Sequence, residues 1–305
     1  MTLALLFPGQ GIQHPDMLPW LDRHPLAAPV LARMADHVGH DWRARLGDED
    51  WLSRNSVAQC LVTGVSLAAW SILCPLLPRP AVLAGYSVGE LAAYSAAGVM
   101  DAGKALDLAA CRAGAMDRCA AGRPAGLMAV SGLNAGVIDS MCECFGLAMA
   151  IRIGPDRCVL GGLSASLDAA LPALAAHGAE VTRLRVRIAS HTPWMTAAAA
   201  EIAARIAPMD WNNSQSIVAN NVDGTGRRDA AGLKAALASQ MASTVQWDRC
   251  MDTLAERQPR CVLEVGPGSS LSRMWQARYP GIPARAVDAF QSAQGAASWV
   301  RRYLT

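Results

Sequence analysis

The stretch Pro80-Ala81-Val82-Leu83-Ala84, followed by Gly85-Tyr86-Ser87-Val88-Gly89 and an alanine-rich run from Glu90 to Ala97, constrains the fold more than any other part of the chain. An uncharged run stopped by glycine reads as a buried strand, and the alanine-rich run reads as a helix. G-x-S-x-G between them requires a turn so tight that a side chain at either glycine would crowd the serine backbone. Strand, turn and helix in this order belong to a parallel sheet covered by helices. The turn lifts the Ser87 hydroxyl clear of the sheet. It also leaves the Val88 N–H at a helix N-terminus, where a developing oxyanion can be held. A plain Gly-Ser turn is the competing reading, since G-x-S-x-G alone arises often by chance; the flanking elements favour a nucleophile.

The rest of the chain fits an α/β core. Leu3–Phe7 reads as a second buried strand, residues 26–46 and 55–77 as helices, and Asp101 as the N-cap of a helix running to about Cys119. Past Gly122-Arg123-Pro124-Ala125-Gly126 the pattern shortens. A strand at 127–131, a helix at 134–144, strands near 147–153 and 157–161, a helix at 165–177 and a strand at 181–188 follow in order. This β-α-β-β-α-β series is the split-βαβ, ferredoxin-like pattern. Long alanine-rich helices then return, with strands at 216–219 and 261–265. The expectation is an α/β core with a parallel sheet, formed by residues 1–124 and 191–305 and interrupted by a small domain at 125–190.

With 305 residues and a net charge of +2, the chain carries no global field that would favour nucleic acid or an anionic membrane. Nine cysteines, no CxxC and no clustered histidines argue against a disulfide framework or a metal site, and fit a reducing cytoplasm. The apolar N-terminus stops at Pro8-Gly9 without a basic region ahead, unlike a signal peptide. The most apolar run, Leu67–Leu77, is too short to span a bilayer.

A serine nucleophile needs a proton acceptor, and six histidines are available. His14, His24, His37, His40 and His177 lie in polar, Pro-rich or helix-end contexts. His191, in Ala189-Ser190-His191-Thr192-Pro193 just past a strand, sits where functional side chains gather. No acid between Ser87 and His191 has a persuasive context to orient it, which weakens an esterase reading. Arg183, Arg185 and Arg187 alternate with Leu184, Val186 and Ile188, so three cations share one face. That face suits a solvated sheet surface, or a docking patch for an anionic partner that Arg152 and Arg157 would extend.

Seven short segments, in order, give the chain a resemblance to the malonyl-CoA:acyl carrier protein transacylases over nearly its whole length. They are Phe7-Pro8-Gly9-Gln10-Gly11, Gly85 to Glu90, Cys111-Arg112-Ala113-Gly114, Ser190-His191, Asn220-Asn221-Val222-Asp223, Gln240 with Val245-Gln246-Trp247, and Glu264-Val265-Gly266-Pro267-Gly268. The resemblance implies that Ser87 is the nucleophile, His191 its base, and the amides of Gln10 and Val88 the oxyanion hole. It implies that the main-chain carbonyl of Gln240 steadies the histidine in place of an acid, and that Arg112 grips the malonyl carboxylate. On its residues alone, Arg112 also suits a helix-surface arginine paired with Asp107. The implied fold is an α/β-hydrolase-like core with a ferredoxin-like insert. The implied substrates are malonyl-CoA and the phosphopantetheine-type arm of an acyl carrier protein, with no bound cofactor.

The sequence departs from the family at Ile12, where serine is usual, at Tyr86, where histidine is usual, and at Ile151–Pro155, which lacks the usual asparagine. Gly85 to Tyr94 is closer to the transacylase subunit of bacterial malonate decarboxylase, which leaves open a carrier of that complex or one of fatty-acid or polyketide synthesis. A serine thioesterase on the same fold and a non-catalytic carrier-binding subunit are the rival readings.

Overall fold

The computed structural model describes residues 2–304. In chain order the first part holds β1 (Leu3–Phe7), α1 (Ala28–Val38), α2 (Glu49–Leu52), α3 (Asn55–Leu73), β2 (Val82–Gly85), α4 (Gly89–Ala96) and α5 (Ala102–Ala120). Next come β3 (Ala125–Ser131), α6 (Ala135–Phe145), β4 (Ala148–Arg152), β5 (Arg157–Leu163), α7 (Ser164–Ala176) and β6 (Glu180–Arg183). The chain continues through α8 (Thr196–Ile206), β7 (Ile217–Ala219), β8 (Gly226–Arg227), α9 (Ala230–Gln240), β9 (Val245–Gln246) and α10 (Trp247–Ala255). It closes with β10 (Cys261–Glu264), α11 (Ser270–Arg278), β11 (Ala284–Ala286) and α12 (Ala293–Leu304).

Two sheets make this a mixed α/β protein. The larger runs β11-β10-β1-β2-β7-β8, with parallel pairing except at β8, which lies antiparallel to β7. Every residue of β1, β2 and β10 is buried, as strands covered by helices on both faces require. The smaller sheet runs β6-β3-β5-β4-β9. Its first four strands are antiparallel neighbours joined in β-α-β-β-α-β order, whereas β9, from much later in the chain, joins β4 in parallel. The small sheet is therefore tied to the following chain as well as to its own segment.

The longest buried helix is α3. The stretch Asn55–Leu76 is long and apolar enough to cross a membrane, holding an 18-residue window of mean hydropathy 1.8, but 89% of that window is buried inside the protein. The apolar run expected at Leu67–Leu77 overlaps the end of this element and continues through a 3-10 turn at Cys74–Leu76. Helix α1 approaches α3 at Gly64, where any Cβ would run into Met34.

Two expected elements are shorter than their patterns suggested. The helix expected over 26–46 stops at Val38, because Gly39 takes φ 104° and turns the chain. The strand expected over 181–188 pairs only through Arg183; Leu184 adds one further backbone bond, to Leu127, at 3.0 Å. Beyond it the chain bends at Arg185 and Ile188, with Ile188 buried and the arginines outward. Alternation there reports one-sided packing on the core rather than sheet pairing.

Candidate active site

Strand β2 delivers the chain to the turn at Ser87, which takes φ 55°, a conformation non-glycine residues seldom adopt. The turn closes because its flanking residues lack side chains. A Cβ on Gly85 would collide with the backbone of Gly89 and Glu90, and one on Gly89 with the carbonyls of Phe7 and Pro8. Asn221 locks the turn from below: its Oδ1 accepts from the Ser87 amide at 2.8 Å, and its Nδ2 donates to the Gly85 carbonyl at 2.7 Å. Gly85→Ala is thus expected to cost about 2 kcal/mol or more in urea unfolding, with loss of serine reactivity towards a fluorophosphonate probe.

His191 reaches this serine from 104 positions away. Its Nε2 lies 2.7 Å from Ser87 Oγ, and its Nδ1 lies 2.9 Å from the main-chain carbonyl of Gln240. The backbone is fixed too: His191 takes φ 62° and its amide donates to the Met241 carbonyl at 2.8 Å. A carbonyl can only accept, so Nδ1 carries the proton and Nε2 is left to accept from the serine. Burial, together with the nearby Arg112 charge, lowers the His191 pKa to about 3, against the opposite pull of the Gln240 carbonyl. The imidazole is neutral at physiological pH, the state a base requires.

Arg112, from α5, is only 2% exposed and not a surface residue. Its Nη1 donates to Gln59 Oε1 at 2.6 Å and its Nη2 to Gln240 Oε1 at 2.9 Å, while Nη2 stands 3.4 Å from Ser87 Oγ. Asp107, the alternative partner, is taken by Arg33 and His37. Burial lowers the Arg112 pKa to about 10, opposed by Glu90, so the guanidinium stays charged at neutral pH. Its partners are neutral and its Nε has none. The site therefore offers a desolvated cation beside the serine, suited to an anionic group.

Residues the sequence did not single out complete the floor. Glu90 is fully buried; its Oε1 accepts from the Asn221 amide at 2.6 Å and its Oε2 from Gln240 Nε2 at 2.7 Å. Burial raises its pKa to about 8, against the Asn221 hydrogen bond and the Arg112 charge. Gln59 is a polar residue buried in α3, and that mismatch with its apolar neighbours was its one sequence signal.

The loop carrying Gln10 presses on the turn, since a Cβ on Gly9 would strike the Tyr86 carbonyl. Gln13 Oε1 organises it by accepting from the amides of Gly11 and Ile12 at 2.6 and 2.8 Å. The amides of Gln10 and Val88 donate to no group among the described residues, so both remain available as donors. Ile12 packs against the core, and Tyr86 meets the Trp247 ring edge-on at 5.0 Å. Cavities of about 220 and 660 Å³ open on either side of Gln10 and Val186, between α2 and the segment carrying Arg185 and Arg187.

The three outward arginines do not form a set of free cations. Arg183 lies 3.8 Å from Asp168, Arg185 2.9 Å from Glu49 and Arg187 3.5 Å from Asp50. Arg185 and Arg187 thus span from the small sheet's segment to α2.

A serine–histidine pair on a strand–turn–helix, beside unpaired loop amides and a buried cation, is equipment suited to acyl transfer. Residues 4–297 match the family model described as "Acyl transferase domain". The malonyl CoA-acyl carrier protein transacylase of Mycobacterium bovis is 35% identical over 292 residues, covering 93% of this chain and 96% of its own; that of Salmonella typhimurium is 29% identical, covering 93% of each. The crystal structure of malonyl-CoA:acyl carrier protein transacylase from Xanthomonas oryzae superposes with a TM-score of 0.90 at 31% identity, over 98% of this chain and 99% of that one. A type II PKS acyl-carrier protein in complex with its malonyl-transacylase gives 0.90 at 27% identity, over 98% and 99%. This chain belongs to the malonyl CoA-acyl carrier protein transacylase family.

Proposed function

We propose that the protein moves a malonyl group from malonyl-CoA to the thiol of an acyl carrier protein through a malonyl ester on Ser87. One observation carries this reading: a hydroxyl, a neutral imidazole and a desolvated guanidinium meet within 3.4 Å of Ser87 Oγ. Nε2 of His191 takes the Ser87 proton as Oγ attacks the thioester carbonyl. The amides of Gln10 and Val88 hold the oxyanion, and the Gln240 carbonyl stabilises the imidazolium that forms. On collapse, the C–S bond breaks and His191 returns the proton to the departing sulfur. The carrier thiol then gives its proton to His191 and attacks the ester; the bond to Oγ breaks, and His191 returns the proton to Ser87 Oγ. Arg112 holds the malonyl carboxylate throughout.

In this reading the frame is an α/β-hydrolase-like core, residues 1–124 and 191–305, with a ferredoxin-like insert at 125–190. The large sheet, parallel except at β8, and the β-α-β-β-α-β order of the small one support it. The carrier is proposed to be that of malonate decarboxylase, on the strength of Gly85 to Tyr94 and of Tyr86 in particular. Arg183, Arg185 and Arg187 border its approach, with Arg185 and Arg187 lining the cavities beside Gln10.

Intact-mass spectrometry after mixing with malonyl-CoA is expected to show one malonyl adduct, mapped to Ser87 and discharged by a carrier bearing a phosphopantetheine-type arm. No adduct, or steady release of coenzyme A without a carrier, would reject the reading. Discharge rates to a phosphopantetheine carrier and to one bearing the dephospho-CoA-derived arm decide between the carriers.

A further inference from the structure

Gln240 touches Ser87, His191, Arg112 and Glu90. Its main-chain carbonyl holds His191, its Oε1 accepts from Arg112, and its Nε2 donates to the Ser87 carbonyl at 2.8 Å and to Glu90 Oε2 at 2.7 Å. The two ends of its side-chain amide are therefore not interchangeable. Turning the amide over would aim its carbonyl oxygen at a carboxyl and a carbonyl, and its NH₂ at a guanidinium. A third acceptor, Asn221 Oδ1, lies farther from Nε2 at 3.3 Å and is already engaged by the Ser87 amide, so Glu90 is the nearest side chain facing Nε2.

We infer that Glu90 is a positioning residue for malonyl selection: by fixing the orientation of the Gln240 side chain, it aims the Arg112 guanidinium at the acyl group on Ser87. The inference rests on the malonyl-transfer reading and adds to it a residue that touches neither substrate nor reacting atoms. Glu90 suits this task chemically. Both of its oxygens accept, Oε1 from the Asn221 amide and Oε2 from Gln240 Nε2, the pattern of a carboxylate. A carboxamide at this position offers one acceptor and sets an NH₂ against a second donor.

Glu90→Gln preserves shape and removes one acceptor. Acylation by malonyl-CoA, which uses Arg112, is compared with acylation by acetyl-CoA, which has no carboxylate for it. In Glu90→Gln, kcat/KM for malonyl-CoA is expected to fall roughly tenfold or more, mainly through KM, while that for acetyl-CoA stays within about threefold. Gln240→Met keeps the main-chain carbonyl for His191 but removes the amide, and is expected to lower the malonyl-to-acetyl ratio similarly. The double variant should fall no further, because Glu90 acts through Gln240.

An equal fall with both thioesters in Glu90→Gln, an unchanged ratio, or additive losses in the double variant would overturn the inference. Should Glu90→Gln not fold, an unchanged ratio in Gln240→Met overturns it alone. Failure of the malonyl-transfer reading looks different: the wild-type protein itself would acquire no malonyl group.

Discussion

Replacing His191 with alanine is expected to slow acylation of Ser87 by malonyl-CoA about a thousandfold, measured as adduct formation in rapid-quench mass spectrometry. Ser87→Ala should give no adduct. A residual rate in His191→Ala is expected because the amides of Gln10 and Val88 and the Arg112 guanidinium remain. The pH dependence follows from burial. With the folded-state pKa lowered to about 3, wild-type acylation should vary little over the neutral range and fall only in strong acid. The same shift affects stability. The unfolded chain protonates this histidine near 6.5 and the folded chain does not. Its contribution is therefore fully present above 6.5 and lost as pH falls towards 3. Glu90 acts in the opposite sense: its raised pKa contributes stability below 4.5 that is lost as pH rises through about 8. Between 4.5 and 6.5 the two largely cancel, so removing His191 should expose a decline in stability with rising pH.

The turn was legible in the sequence because part of its cause is local. Gly85 is a glycine since the backbone of Gly89 and Glu90 occupies the place of a Cβ, a constraint that falls within five residues. Gly89, in contrast, yields to the distant carbonyls of Phe7 and Pro8 and was legible only through the G-x-S-x-G pattern. Asp101 was legible as a cap because its bond too is local: its side chain accepts from the Lys104 amide at 2.8 Å. The floor of the site was not. Glu90, Asn221 and Gln240 meet from three separate elements, and hydrogen bonds spanning 131 and 150 positions leave no trace in local periodicity. Their residue types stood inside recognisable segments, but not who faces whom.

Strand β9 was missed for a different reason. Two residues are too few to show alternation, yet they matter, because pairing with β4 anchors the chain just past Gln240. The arginine row misled in the reverse direction. Its alternation was real, but it came from packing Ile188 inward, and it says nothing of sheet pairing or of free charge.

Arg112→Ala is expected to lower kcat/KM for malonyl-CoA by about two to three orders of magnitude while leaving acetyl-CoA little changed. The reasoning begins with the cost of burying this side chain. A guanidinium only 2% exposed and held by neutral amides is tolerable because it has several hydrogen bonds, but its charge lacks a partner. A malonyl carboxylate would supply that charge in the geometry the fork favours, whereas an acetyl group would leave it unmet. Discrimination thus comes from penalising the wrong acyl group as well as from binding the right one. Arg112→Lys should not rescue selectivity. One ammonium cannot span Gln59 and Gln240 and still present two parallel donors to a carboxylate. Measuring both thioesters in both variants separates loss of charge from loss of the fork: if charge alone selected malonyl, lysine would restore most of the ratio.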